Sequence, residues 1–141
     1  MDSILRYFGF IGEKQENYYY LSLLKDDNLE EGWSIHGLWP QNADNSYPSY
    51  CRIVTFDIIL LQSNMDELNK YWCSNMEKNE DFWKHEWEKH GSCMFNQCDE
   101  YHYFKRALLL YKKALQKELP EKYYDEKTNK YLIPINLKFE F

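Results

Sequence analysis

An α+β fold is what this sequence predicts, on three observations. Two runs of strand character come early, at 18–24 and 33–38, several helix-like stretches follow, and one more strand-like run closes the pattern at 131–135. No internal repeat or low-complexity linker interrupts them, and a length of 141 residues predicts a single domain over 1–141.

Each element has its own warrant. Residues 18–24 are a run of aromatic and aliphatic residues around Ser22, the composition of a buried strand. The acidic stretch 25–32 reads as a turn or short loop. Residues 33–38 alternate, which in a regular strand puts Trp33, Ile35 and Gly37 on one face and Ser34, His36 and Leu38 on the other. Pro40 is expected to end that strand, leaving 41–50 as loop. Residues 53–72 are apolar with a polar interruption near 63–67, the pattern of one broken helix or two short ones. A helix is expected over 79–90, with Gly91 placed to stop it. The clearest helix is 101–119, where Phe104, Leu108, Tyr111, Leu115 and Leu119 recur at helical spacing and Pro120 closes the run.

Composition narrows the function classes. The formal net charge is −6, without the basic field by which proteins coat long nucleic acid. Any nucleic acid is therefore expected to be held at a local site and turned over. Aromatic residues reach 18%; core filling explains most of them, and a base-stacking surface is the sharper reading where position supports it. No apolar run is long enough for a membrane span, and 1–12, broken by Gly9 and Gly12, does not read as a signal peptide. The four cysteines, Cys51, Cys73, Cys93 and Cys98, form no C-x-x-C and no zinc-ribbon spacing. They allow two disulfides, which require an oxidising compartment, or four free thiols.

Two segments hold three of the four histidines: Trp33-Ser-Ile-His-Gly-Leu-Trp-Pro40 and Phe82-Trp-Lys-His-Glu-Trp-Glu-Lys-His90. Stepped at helical pitch, His85, Lys89, Phe82, Glu86 and His90 share one arc of roughly 140°. Trp83 and Trp87 lie at its edge and beyond, while Lys84 and Glu88 point away as a solvated pair. A metal centre is the rival reading. Zinc peptidases space two histidines at i and i+4, whereas here the second falls at i+5 and Lys89 would repel a cation; no metal and no cofactor is expected. Two histidines, a lysine and a glutamate without a metal suit phosphodiester transfer within RNA. One neutral His accepts the 2′-OH proton, one protonated His donates to the leaving 5′-oxygen, and the lysine offsets charge building on phosphate. The 2′-OH is the nucleophile, so DNA should be inert. Trp39, Tyr47 and Phe82 are placed in sequence to stack flanking bases.

Ile35-His-Gly-Leu-Trp-Pro40 and Phe82-Trp-Lys-His-Glu-Trp-Glu-Lys-His-Gly-Ser-Cys93 resemble the two active-site segments of the ribonuclease T2 family, in the same order. Tyr47-Pro48 with Cys51, Tyr71-Trp72, and Tyr103-Phe104 with Ala107-Leu108 and Tyr111 extend the resemblance over about 18–119. It implies a central antiparallel sheet packed with several helices, trimmed at both ends, and cleavage of single-stranded RNA through a 2′,3′-cyclic phosphate with little base specificity. It implies His90 as general base and His36 as general acid, with Glu86 and Lys89 stabilising the pentacovalent phosphorus and His85 holding phosphate. Trp39, helped by Tyr47, would stack the base on the 5′ side of the scissile bond, and Phe82 would contact the base on the other side. Cys51 would pair with Cys93, leaving Cys73 and Cys98 to pair or remain thiols. The expected state is a monomer, secreted or in an endomembrane or lysosomal lumen if disulfides form.

The chain departs from the family pattern in three places. Leu21-Ser-Leu-Leu24 runs directly into Lys25-Asp-Asp27, Cys73 stands where a proline is usual, and the sequence stops at Phe141 before the usual C-terminal strand. The alternative reading is a T2-like protein that binds RNA or regulates with little turnover.

Overall fold

The computed structural model describes residues 15–141; the expectation about a leader over 1–12 lies outside them. Strands β1 (Tyr18–Lys25) and β2 (Trp33–Gln41) form an antiparallel hairpin. A 3₁₀ segment (Ile58–Asn64) leads into α1 (Met65–Tyr71), followed by α2 (Asn79–Lys89) and α3 (Glu100–Leu115). The short β3 (Tyr124–Asp125) and β4 (Lys130–Ile135) complete a four-stranded antiparallel sheet in the order β2-β1-β4-β3. The α+β expectation holds, and no helix among the described residues is long and apolar enough to cross a membrane.

One sheet face is the core. Leu21, Leu23, Ile35, Leu38, Ile133 and Ile135 are fully buried there, against Trp72, Trp83, Tyr103, Phe104 and Tyr111 of the helical layer. Buried aromatic rings with polar tips need partners. Trp72 Nε1 donates to His36 O at 3.1 Å, Tyr103 OH to Leu38 O at 2.8 Å, and Tyr111 OH to Trp33 O at 2.7 Å. All three acceptors lie on β2, an edge strand whose outward carbonyls would otherwise lack partners. The aromatic excess thus fills the core and also seals the open side of the sheet.

The structure corrects several local expectations. Pairing shifts between Ser22 and Leu23: Ser22 faces Gly37 and Leu23 faces Ile35, so His36 is the extra residue of a β-bulge. Strict alternation therefore fails. Ile35 and Leu38 both enter the core, while the His36 and Trp39 rings meet at 4.9 Å. Pro40 does not end β2, because an edge strand can spare one N–H, and the strand runs on to Gln41. Residues 53–57 are not helical; the Asp57 carboxylate accepts from Ile59 N at 3.0 Å and starts the 3₁₀ segment. Helix α3 begins one residue early, capped by Asp99, and stops at Leu115, so Leu119 reaches the core from a non-helical segment. Gly91 is not a left-handed stop. A Cβ there would lie 2.2 Å from Trp87 Cε3, so glycine is required by close approach to the indole.

Cys51 and Cys93 are joined, and Cys73 and Cys98 remain free thiols. The latter two belong to separate segments, Cys73 just after α1 and Cys98 in a loop whose carbonyl is held by Arg52 Nη2 at 3.2 Å. The disulfide spans 42 residues of sequence, and closing such a loop restricts the unfolded chain by about 2–4 kcal/mol. Replacing both Cys51 and Cys93 by serine is expected to lower unfolding free energy by that amount in urea titration; an unchanged midpoint would refute it.

Candidate active site

The two histidine segments converge where the β2 bulge meets the C-terminal end of α2. His36, Trp39, Gln41, Tyr47, His85, Glu86, Lys89 and His90 line one open cavity of about 280 Å³. Phe82 does not line it, and its ring lies beside His36 at 6.1 Å. All eight residues expected from sequence are thus close together, and Gln41 joins them. Extending β2 by one residue past Pro40 would have found it, since Trp39 and Gln41 then share a face.

Trp39 organises the site. Its ring stacks on His90 at 5.3 Å and 29°, meets His36 edge to face at 4.9 Å, and its Nε1 donates to Glu86 Oε1 at 2.9 Å. The approach that allows this bond depends on Gly37, where a Cβ would fall 2.1 Å from Trp39 Nε1 and 2.2 Å from Glu86 Oε1. Among the described residues, Nδ1 of His36 and of His90 is buried without a hydrogen-bond partner. Among the described residues no carboxylate bonds to either imidazole, and aromatic packing orients both.

The arc on α2 grades from solvent to core. His85 is exposed, Phe82 and Lys89 are half-buried, and Glu86 and His90 are 3% and 6% exposed beside Trp83 and Trp87. Burial explains the electrostatics. It lowers the His36 pKa to about 4, with Lys130 and His85 adding repulsion. It lowers that of His90 to about 3, with Lys89, His85 and His36 adding repulsion. Burial also raises the Glu86 carboxyl to about 7, opposed by the Trp39 N–H and by Lys89 and Lys130. The site therefore holds two neutral imidazoles beside a carboxyl that is protonated in mild acid.

The loop carrying Tyr47 is fastened to the end of α2. Tyr50 N donates to Lys89 O at 2.9 Å, Cys51 N to Ser92 Oγ at 3.0 Å, and the Cys51–Cys93 bond closes the clamp. Lys89 Nζ then lies 5.9 Å from the centre of the Tyr47 ring, which is 57% exposed at the cavity mouth. Among the described residues, no three His, Cys, Asp or Glu side chains form a group able to hold a metal ion.

Several known proteins are similar to this chain. Ribonuclease DdI of Dictyostelium discoideum is 43% identical over 83 residues, covering 57% of this chain and 37% of the relative. Ribonuclease 1 of Arabidopsis thaliana is 40% identical over 87 residues, 58% of this chain and 37% of that protein. The chain spans well under half the length of these curated relatives. In structure, human RNase T2 superposes with a TM-score of 0.57 at 26% identity, over 70% of this chain and 57% of that one. An RNase MC1 variant crystallised with 5′-UMP superposes at 0.67 and 19% identity, over 88% and 90%, a likeness of fold. The model of the Ribonuclease T2 family matches residues 11–132, most of the chain. This chain belongs to the ribonuclease T2 family.

Proposed function

We propose that this protein is an endoribonuclease that cleaves single-stranded RNA by acid–base catalysis, without a metal and with little base preference. The observation that carries the reading is the pair of imidazoles, His36 and His90, packed against one indole and lining one cavity. His90 takes the proton of the ribose 2′-OH. The 2′-oxygen bonds to phosphorus as the P–O5′ bond breaks, and His36 gives its proton to the departing 5′-oxygen. Water then attacks the 2′,3′-cyclic phosphate, losing its proton to His36 while His90 returns one to the 2′-oxygen, and a 3′-phosphate remains. Lys89 and the protonated Glu86 carboxyl meet the equatorial oxygens, and His85 holds phosphate at the exposed rim. Trp39 and Tyr47 take the base 5′ of the scissile bond, and Phe82 the base 3′ of it. One chain supplies every one of these groups, so a monomer suffices. The Cys51–Cys93 bond supports a secreted or lumenal location.

Incubation with homopolymer RNA in the presence of a chelator tests this. Cyclic-phosphate and then 3′-phosphate ends are expected; intact RNA from folded protein would overturn the reading, and cleavage abolished by chelation would favour a metallohydrolase.

The pH dependence follows in sign. The base must be neutral, which holds above the depressed pKa of His90, near 3, and the acid must be protonated, which holds below that of His36, near 4. A bound phosphate anion favours both imidazolium forms and lifts both limbs. The kcat profile, which reports the substrate-bound enzyme, is expected to be a bell with its maximum on the acid side of about pH 6.5, the ordinary histidine value. Replacing His85 by glutamine removes a repulsion that lowers both pKa values, so both limbs should move up; a flat profile from acid to neutral pH would refute paired histidines.

A further inference from the structure

One cation beside the site belongs to neither motif. Lys130 opens β4, and its Nζ lies 5.7 Å from the centre of the Trp39 ring. Register explains how a residue so distant in sequence arrives there. Leu132 pairs with Ser22 and Ser22 with Gly37, while Pro134 pairs with Tyr20 and Tyr20 with Trp39. Lys130, two residues before Leu132, therefore stands on the sheet face that carries Trp39, opposite the face that buries Ile133 and Ile135.

The two lysines act on different histidines. Lys89 repels charge on His90, Lys130 repels charge on His36, and both favour the ionised form of Glu86. The carboxylate nearest Lys130 in register is Asp125, and it is engaged in the β3–β4 turn, accepting from Lys127 N at 3.0 Å and Thr128 Oγ1 at 2.9 Å. Among the described residues Lys130 enters no ion pair. In a chain of net charge −6, an anionic polymer can be held only where cations are gathered locally. Lys130, beside the Trp39 ring that lines the cavity, gives the site a cation in addition to Lys89.

We propose that Lys130 is a substrate-binding residue that contacts an RNA backbone phosphate adjoining the scissile one, beside the Trp39 indole. The inference rests on the ribonuclease reading for the identity of its ligand, but its test is binding, independent of turnover. A single-stranded DNA hexamer lacks the 2′-OH and serves as an uncleavable probe. Its affinity is measured against salt for the unaltered protein, K130Q, K130R and K127Q; Lys127 is an exposed lysine of the same hairpin.

One lost phosphate contact should reduce the slope of log K against log salt by about 0.7 for a single strand, or about 5-fold in affinity per decade of salt. K130Q is expected to show that loss, K130R to restore it, and K127Q to leave binding unchanged. A dinucleoside monophosphate, whose one phosphate is the scissile one, should bind K130Q and the unaltered protein equally. An unchanged slope in K130Q, an equal loss in K127Q, or an equal loss on the dinucleotide would each overturn the proposal. Unaltered protein that binds the hexamer in this way yet leaves RNA intact would sink the ribonuclease reading while this one stands.

Discussion

Replacing His90 by alanine is expected to lower turnover of single-stranded RNA by about 10²–10⁴-fold, the range for loss of a positioned general acid or base. At 10³-fold that is about 4 kcal/mol of transition-state stabilisation. His36→Ala should cost a similar factor, because the proposed mechanism has the two imidazoles serve the same step from opposite sides. The double variant should fall little further than either single one, since residues that act as a unit are not additive. His90 is 6% exposed and stacked on Trp39, so alanine also opens a small cavity; His90→Gln keeps more of the volume and separates packing from chemistry. Initial rates on homopolymer RNA, with the melting temperature as a check on folding, decide the matter. A loss under 10-fold in a folded His90→Gln protein would remove His90 from the proton transfers and leave RNA binding without turnover as the better reading.

What sequence could and could not show follows the range of the interactions involved. The α2 face was legible because helical pitch is a local property: once 79–90 is a helix, Phe82, His85, Glu86, Lys89 and His90 share an arc whatever packs against it. Which part of that arc is buried was not legible, since the indole that covers it, Trp39, belongs to another element, β2. The β2 alternation failed for the same reason. A bulge at His36 is a matter of pairing with β1, and one extra residue in the ladder turns every later side chain over. That slip is what lets His36 and Trp39, three apart in sequence, face the same cavity while Ile35 and Leu38 both enter the core. Lys130 carried no local signal, because its place depends on two rounds of strand pairing, β4 on β1 and β1 on β2. The Cys51–Cys93 bond came from family resemblance, as four cysteines alone leave the pairing open.

Gly37→Ala is expected to cost about as much function as an altered acid or base while leaving every proposed acid and base in place. Alanine's Cβ would meet Trp39 Nε1 at 2.1 Å and Glu86 Oε1 at 2.2 Å, far inside contact distance. The half-buried indole, which borders the open cavity, is the neighbour that must yield. The indole is stacked on His90, and Glu86 is 3% exposed. The Trp39–Glu86 hydrogen bond must break, leaving a buried carboxyl unsatisfied at a cost of about 1–3 kcal/mol. With the indole displaced, both imidazoles lose the ring that orients them, and a misplacement near 1 Å can reduce rate by about 10²-fold. Gly37 is therefore a positioning residue, and kcat should fall more than KM rises. Gly32 supplies the control: its φ of 82° favours glycine, yet a Cβ there meets nothing within 4 Å. Gly32→Ala should lose about 1–2 kcal/mol of stability through backbone strain and keep its kcat. If Gly37→Ala and Gly32→Ala lower the melting temperature alike and both retain kcat, Trp39 and Glu86 do not depend on Gly37 for their placement.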